Sequence, residues 1–424
     1  MFTSAAKLPP WLLTGSEGYI GDDVNERTAI GFTKKQLSIK ATFFLNSPPQ
    51  PSKLCVHCPD AKDIKNPRVL CVVGDHILFR VAITTRSIRI RSTSALLWSE
   101  YFLYRAERNR PMLKLLPDPP TDTFNDSEVG ILPHGDGVFT IAALLRRRLC
   151  LDRFELLLFH SKAGNWTSMF LSVVGPPKKF PIEVEHRIDD LSCHFTTNVI
   201  VIGGEYGTIA WVDLWGGIVL CDILTLSEKP MLRTIPVPLP MGHITGNNGK
   251  GFHFGRGMDC RGIAFINGSF KFVELELDTT EFIHIRDKET GLPTLIVHGW
   301  TITTYSNSKM SCSYEDWQKD GMVRSSEVTI NNSMVTHSYG LLPSSQEHSE
   351  SEETREALQK LVLSDPSPSL GGEGVVYLVA RVKLWHPKSW LISIDMRNKT
   401  LQSVVPLATP EEPYEDLMYY TSTQ

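Results

Sequence analysis

The sequence predicts a mainly β protein that folds as one large, β-propeller-like domain. Three observations lead to this prediction: short segments rich in Val, Ile, Phe, Tyr and Thr recur along the chain, turn residues bound them, and helical periodicity is rare. With 424 residues, the chain is long enough for two or three average domains or one large all-β domain. Regularly spaced strands without intervening helices indicate a sandwich, a barrel or a propeller.

The predicted strands are, in chain order, Ile39–Leu45, His76–Arg91, Gly137–Leu145, Phe154–His160, Trp166–Val174, Asn198–Ile202, Thr208–Leu214, Gly217–Leu224, Ser269–Leu277, Gly374–Lys383 and Trp390–Met396. Within His76–Arg91 the apolar residues change from odd to even positions, so we expect a bulge or turn between Thr84 and Ser87. A Gly-containing loop at Ser161–Asn165 predicts a hairpin between the fourth and fifth of these strands. The clearest helical pattern covers Ser351–Val362.

A weak tryptophan repeat favours the propeller over the other all-β folds. Trp166, Trp211, Trp300 and Trp390 follow one another at one or two multiples of about 45 residues, and propeller blades are roughly 40–50 residues long. We interpret these tryptophans as wedges at a fixed blade position, where they fill the space between neighbouring sheets. A chance spacing is the alternative. Trp215 lies close to Trp211, on the other side of Asp213.

Three segments differ from the predicted core. The stretch from Pro238 to Gly262 is rich in glycine and is interpreted as a loop. Residues 342–373 are rich in Ser, Glu, Pro and Gly, and we expect a disordered or partly helical insertion there. Residues 407–424 are interpreted as an acidic tail. The apolar strands of 374–404 are expected to close the sheet system of a single domain covering residues 1–424.

One set of residues has the spacing of a small metal module. Cys55 and Cys58 form a CxxC pair, and Cys71 and His76 follow at distances that resemble a zinc site. The alternative is that all four are structural, because the neighbours of Cys71 are apolar. We expect the protein to bind no metal and no cofactor.

No other stretch carries a convincing catalytic signature. The glycines of 242–262 are not followed by the Lys-Ser/Thr of a phosphate-binding loop, although Lys250, His253 and Arg256 remain candidates for contact with an anionic partner. Asp189–Asp190, after His186 and Arg187, is interpreted as a solvated turn rather than an acid pair. Asp213 is expected to cap a turn or accept backbone N–H groups, with a role as a functional acid as the alternative. The run SSQEHSESEE at 344–353 is a linker with possible phosphorylation sites.

The bulk composition restricts the class of partner. There are 43 Lys and Arg against 47 Asp and Glu, giving a formal net charge of −4, so no basic excess points to nucleic acid. No run of 18 apolar residues predicts a membrane helix, and no signal pattern is found at the N-terminus. Eight cysteines, mostly in apolar runs, suit reduced thiols. We therefore expect a protein of the cytoplasm or nucleus that is not secreted and binds neither nucleic acid nor membrane.

The chain resembles the plant proteins of domain-of-unknown-function family 1618, which is expanded in grasses. The strongest match is GTIAWVDLWGGIVLCDIL at 207–224. Further matches are PPWLLTGSEGYI, CVHCPD, SEYFLYRA, CRGIAFINGSFKFVELEL, GWTITTYS, SYEDWQKDGMV and the segment from GVVYLVARVK through SWLISIDMRNKTLQSV. The resemblance implies a β-rich domain similar to the kelch-like domains that follow F-boxes. It implies no catalytic residues, because no activity is established for the family.

We expect the protein to be a non-catalytic protein-interaction or regulatory module, and the resemblance implies a plant protein with a role in reproduction or stress response. One alternative is a propeller-type hydrolase with an unrecognised site. The other is an adaptor in a ubiquitin-ligase pathway without its own F-box. The identity of the protein partners and the oligomeric state stay open.

Overall fold

Six mainly antiparallel sheets follow one another along the described part of the chain in the computed structural model of this protein. The residues described are 11–84, 99–105, 111–120, 124–135, 137–146, 153–174, 194–226, 230–238, 257–286, 288, 291, 293–330, 340–342, 352–372, 374–384, 386, 388–408 and 417–421. The prediction of a mainly β, propeller-like fold is confirmed by this arrangement.

The strands in chain order are β1 Trp11–Gly15, β2 Tyr19–Ile20, β3 Ala29–Phe32, β4 Ser38–Phe44, β5 Lys53–His57, β6 Asp63–Ile64, β7 Arg68–Val73, β8 His76–Thr84, β9 Ser99–Arg105, β10 Met112–Leu115, β11 Val129–Gly135, β12 Val138–Arg146, β13 Arg153–His160, β14 Asn165–Val173, β15 Asn198–Gly203, β16 Thr208–Asp213, β17 Gly217–Asp222, β18 Met231–Ile235, β19 Arg261–Ile266, β20 Ser269–Arg286, β21 Pro293–Asn307, β22 Gln318–Arg324, β23 Thr329–Ile330, β24 Val362–Pro368, β25 Val375–Arg381, β26 Ser389–Asp395, β27 Thr400–Ala408 and β28 Leu417–Thr421. The helices are α1 Gly257–Cys260 and α2 Glu352–Gln359. One-turn 3-10 helices cover Asp126–Glu128, Ile223–Thr225, Tyr314–Asp316 and Ser325–Glu327.

The sheets are numbered one to six in chain order. The first has the order β2-β5-β4-β3, and the second contains β7 to β10 with the short β6. The third (β11–β14) and fourth (β15–β18) are joined where the outer strands β14 and β18 pair in parallel. The fifth contains β19–β22, and the sixth contains β24–β27 with β23 at its edge. The predicted hairpin is confirmed as β13–β14.

The first strands of successive sheets lie side by side. β7 is next to β11, β11 next to β15, β15 next to β19, and β19 next to β24. At the β19–β24 contact, a Cβ atom on Gly262 would lie 1.7 Å from the Pro366 carbonyl oxygen, so only glycine fits there. This succession of inner strands is the arrangement of a propeller.

The C-terminal strand completes the ring. β28 pairs antiparallel with β1, and it also lies beside β7. β1 in turn joins the first sheet through the Ser52 N–H, which donates to the Leu13 carbonyl over 2.7 Å. The side chain of Leu13 packs against Val375, Tyr377, Val379 and Leu391 of the sixth sheet. Both ends of the chain therefore meet where the sixth sheet returns to the first.

Two sequence predictions are corrected here. The segment 342–373 contains the expected helix, but its second half is strand β24, which pairs with β25 in the sixth sheet and is not an insertion. Its Ser-Asp-Pro-Ser-Pro sequence resembles a loop, and the pairing register of the strand is interrupted between Ser364 and Ser367. The segment 407–424 contains the end of β27 and all of β28, so it is not simply an acidic tail. β28, rather than 374–404 alone, closes the sheet system.

The two faces of the ring differ in their connections. In the second to sixth sheets the four main strands pair antiparallel, and the short edge strand β23 pairs parallel with its neighbour. The links from first to second strand and from third to fourth therefore leave one face. Most of these are tight turns, such as 74–75 and 161–164. At the opposite face, here named the loop face, the last strand of one sheet ends and the first strand of the next begins, as at Leu115 and Val129 or at Val173 and Asn198.

Contacts between sheets support the assignment of the loop face. Ser127, just before β11, donates its hydroxyl to the Thr196 carbonyl just before β15 over 2.8 Å. Arg80 on β8 forms two bonds to Asp126, of 2.6 and 2.7 Å, and Arg68 at the start of β7 lies 3.8 Å from the same carboxylate. The starts of these inner strands therefore lie at one face. β20 and β21 also extend towards this face, as a two-stranded ribbon beyond the rest of the fifth sheet.

Candidate functional site

Asp213 organises a turn on the loop face. It ends β16, and its Oδ1 accepts hydrogen bonds from the backbone N–H groups of Trp215 and Gly216, both at 2.9 Å. Its Oδ2 accepts the Phe195 N–H at 2.8 Å. A short carboxylate side chain satisfies backbone donors of this kind in turns. Asp213 is buried, and it ties the 213–216 turn to the segment that enters β15.

Phe195 is presented to solvent by this arrangement. Its side chain is 62% exposed, while its backbone is fixed by Asp213. Two residues further along the chain, the Thr197 N–H donates to the Val212 carbonyl over 2.7 Å. The result is an aromatic side chain on a well-supported backbone, which is a favourable element for binding another protein.

Arg261 supports the other side of the turn. It is 1% exposed, and its Nη1 donates to the Leu214 carbonyl over 3.0 Å while Nη2 donates to Glu274 over 2.7 Å. The guanidinium lies over the Trp215 ring at 4.2 Å from its centroid. A buried charge needs both a partner and hydrogen bonds, and cation–π contact adds to them. Arg261 starts β19, so these contacts join the fourth sheet to the fifth.

His194 adjoins the exposed aromatic residue. Its ring lies edge-on to Phe154 at 5.9 Å between centroids. Burial lowers the pKa of His194 to about 4, although the negative charge of Asp213 acts in the opposite direction. Removal from water disfavours the charged imidazolium. His194 is therefore neutral near pH 7.

The tryptophans lie between sheets but not at one blade position. Trp166 is on the fourth strand of its sheet, Trp211 on the second strand, and Trp300 and Trp390 on the third strands of theirs. The prediction of a fixed position is thus wrong. The sheets are separated by connections of very different length, so equal sequence spacing does not give equivalent positions.

Three of these indoles nevertheless form hydrogen bonds across sheet boundaries. Trp211, which is 0% exposed, donates its N–H to the Glu128 carbonyl over 2.8 Å. Trp166 donates to Pro117, and Trp300 donates to Leu358, each over 3.0 Å. Trp390 packs in the core shared by the fifth and sixth sheets, near Trp300. Large aromatic side chains fill the space, and each N–H finds a carbonyl partner.

Trp317 occupies a position equivalent to that of Trp166. Both tryptophans lie at the start of a sheet's fourth strand. Trp317 donates to the Pro236 carbonyl over 2.6 Å, as Trp166 does to Pro117. Both prolines follow the fourth strand of the preceding sheet. This repeated contact was missed in the sequence because the two residues are far from any constant spacing.

The metal candidate is not assembled. Cys55 lies on β5 of the first sheet, where its thiol donates to the Gly21 carbonyl over 3.2 Å, and Cys58 follows that strand. Cys71 lies on β7 of the second sheet, and burial raises the pKa of its thiol to about 12. His76 has its Nδ1 2.7 Å from an Asp75 oxygen. Across the described residues, no group of three His, Cys, Asp or Glu side chains is placed to hold a metal ion.

Several other candidates lie outside the described residues: His186, Arg187, Asp189, Asp190, Lys250, His253, Arg256 and 344–351. Phe195 and Arg261 were not singled out from the sequence. Arg261 falls within the CRGIAF motif, but its burial depends on packing between two sheets and leaves no local signal. Within the described segments, no helix is long and apolar enough to cross a membrane.

Comparison with known proteins gives a match to one family model over part of the chain, and that family has no known function. Residues 211–377 match the model of the protein family of unknown function DUF1618. No curated protein matches the chain.

Three solved structures are similar at low level. Dihydro-heme d1 dehydrogenase NirN has 10% identity and a TM-score of 0.31, covering 96% of this chain and 68% of its own. An ancestral GH74 enzyme has 8% identity and a TM-score of 0.31, covering 94% and 39%. The β-propeller domain of the Trilobed protease from Pyrococcus furiosus has 8% identity and a TM-score of 0.28, covering 82% and 84%. At these scores the likenesses support no argument about this protein.

The family match covers the 213–216 turn, Arg261, Trp300 and Trp317, which together build the junctions of the fourth, fifth and sixth sheets. Over residues 211–377, this chain is similar to the DUF1618 family of proteins of unknown function.

Proposed function

We propose that the protein is a non-catalytic interaction module that binds a protein partner at its loop face. The observation that carries the proposal is the exposed Phe195 beside the 213–216 turn. An aromatic side chain on a fixed backbone loses little conformational entropy when it becomes buried in a partner.

The chemistry of the turn favours structural support over catalysis. Both oxygens of Asp213 already accept backbone N–H groups. The Arg261 guanidinium is sandwiched by Trp215 and paired with Glu274. These contacts lie within the protein and stabilise the backbone that carries Phe195.

The loop face also gathers the connections between sheets, and connections on a rigid scaffold commonly carry binding residues. The plant origin and the roles in reproduction or stress response are further expectations from the family resemblance, and the location in cytoplasm or nucleus is an expectation from the cysteine usage and the N-terminal sequence. They make a plant extract the first source in which to seek a partner.

Site-specific photo-crosslinking tests the proposal. A photoreactive p-benzoylphenylalanine is placed at Phe195 and, in a matched control, at Phe170, which is 58% exposed but lies on the outer strand β14. After irradiation in extract, we expect discrete adducts from position 195 that are absent from position 170. Identical adduct patterns from the two positions would contradict binding at the loop face.

A second pair of variants separates the role of Phe195 from general stability. Phe195→Ala should reduce partner capture about tenfold or more, as expected for an aromatic hot spot, whereas Phe170→Ala should leave it unchanged. Both proteins should melt within a degree or two of the parent, because both side chains are exposed. Equal capture by Phe195→Ala and the parent protein would refute the site.

A further inference from the structure

We propose that the C-terminal strand β28 is a detachable clasp, and that the slot it leaves along β1 accepts an equivalent strand supplied in trans. The inference goes beyond the proposed binding at the loop face. It starts from the way the ring is completed by backbone pairing between the two ends of the chain, Trp11–Gly15 with Leu417–Thr421.

The pairing of the clasp is limited to one described strand. β28 forms a two-stranded pairing with β1 alone, and its other neighbour is β7. The inner strands β7, β11, β15, β19 and β24 each continue directly into a second strand of their own sheet through a short connection. β28 instead follows β27 after residues 409–416, so its departure leaves the β24–β27 pairing intact.

Among the side chains that the structure describes, those joining β1 to the sixth sheet form a small apolar cluster. The apolar cluster that joins β1 to the sixth sheet has five buried members: Leu13, Val375, Tyr377, Val379 and Leu391. By contrast, one continuous cluster runs through the first four sheets. Because the free energy of separating two surfaces rises with the apolar area they bury, we expect this cluster of described side chains to separate more readily than the continuous one.

Detachment of β28 from β1 exposes a strand edge with which another extended segment can pair. β1 would then present unpaired backbone N–H and C=O groups, which are a template for another extended segment. The occupant with the correct register is the C-terminal segment of a second copy, since exchange of an identical element forms the same contacts. A peptide of residues 414–424 is the simplest probe for that occupant.

Hydrogen–deuterium exchange on the full chain gives the first test. We expect the amides of β1 and β28 to exchange at least tenfold faster than those of β7, β11 and β19, because a local opening exposes them without global unfolding. Equal protection of β28 and these inner strands would overturn the proposal.

The second test uses a fluorescent peptide of residues 414–424 with the full-length protein. We expect saturable binding that is lost when a disulfide locks the clasp in the Thr14→Cys/Met418→Cys variant, whose positions are register partners. Reduction should restore the binding. Failure of the peptide to bind the parent protein, or equal binding to the locked and reduced forms, would refute exchange. The hydrogen–deuterium exchange measurement uses the unmodified protein. It can therefore still refute the proposal if the double mutant misfolds.

Discussion

The junction between the fourth and fifth sheets and the junction between the sixth sheet and β1 are built by different means. The former buries Phe270, Phe272 and their neighbours in an apolar cluster, and polar bonds also cross it. Arg261 binds the Leu214 carbonyl, and Trp317 binds the Pro236 carbonyl. The closing junction combines five buried apolar residues with the contact between Trp11 and Tyr377, whose ring centroids are 5.8 Å apart.

The difference follows from position along the chain. The fourth and fifth sheets are consecutive, whereas the closing junction joins segments from the two ends. Bringing distant segments together costs more loop-closure entropy, and such contacts form late in folding. We therefore expect the internal junction to set global stability and the closing junction to set local opening. Four predictions test this division, from the largest expected effect to the smallest.

Loss of the buried carboxylate at the internal junction should have the largest effect. Glu274→Leu leaves the Arg261 charge buried without its partner, which should lower the free energy of unfolding by about 3–5 kcal/mol. Urea denaturation measures the change. The control is Glu356→Ala, which removes an exposed pair with Lys360 and should leave the urea midpoint nearly unchanged. Similar midpoints for the two variants would show that the ion pair does not hold this junction.

Truncation of a buried side chain at the closing junction should destabilise mainly the strands of that junction. Leu13→Ala removes a fully buried side chain and should cost about 2–4 kcal/mol at that site. We expect faster hydrogen exchange in β1 and β28, with a smaller change in the global denaturation midpoint than Glu274→Leu produces. Uniformly faster exchange in all six sheets would contradict a local opening.

A matched pair of tryptophan variants compares the two junctions directly. Trp317→Phe removes the indole N–H that binds Pro236 and leaves a carbonyl without that donor, which should cost about 1–2 kcal/mol. Trp11→Phe keeps the ring contact with Tyr377 and should cost less. Thermal melts of both variants check the order. A larger loss of thermal stability for Trp11→Phe than for Trp317→Phe would contradict the idea that polar bonds strengthen the internal junction more than the closing junction.

Acid sensitivity should arise near His194. Its pKa is lowered to about 4 in the folded protein, below the ordinary value of about 6.5 for the unfolded chain. Between about pH 6.5 and 4 the imidazole is protonated in the unfolded state but not in the folded state. The free energy of unfolding is therefore retained above about pH 6.5 and declines as the pH falls towards 4. His194→Gln should flatten this part of the stability profile. An unchanged profile would assign the acid response to other groups.

The strand pattern could be predicted from the sequence, since alternation and turn residues act locally in β13–β14 or β16–β17. The role of Asp213 as an acceptor of backbone N–H groups was also expected, because a carboxylate among apolar residues needs donors. Other features depend on distant parts of the chain. Strand β24 resembles a loop locally and is a strand because β25 and β19 surround it. Arg261 and Trp317 gain their importance only from the neighbouring sheet.

The pairing of β1 with β28 has a consequence for synthesis on the ribosome. Leu417–Thr421 is the last described strand to be made, and it pairs with the first. While this strand is still within the exit tunnel, the five later sheets can form their hairpins in order, but the emerging chain cannot close. A chaperone that recognises an exposed strand edge would therefore find its target at Trp11–Gly15 until Leu417–Thr421 has emerged and paired.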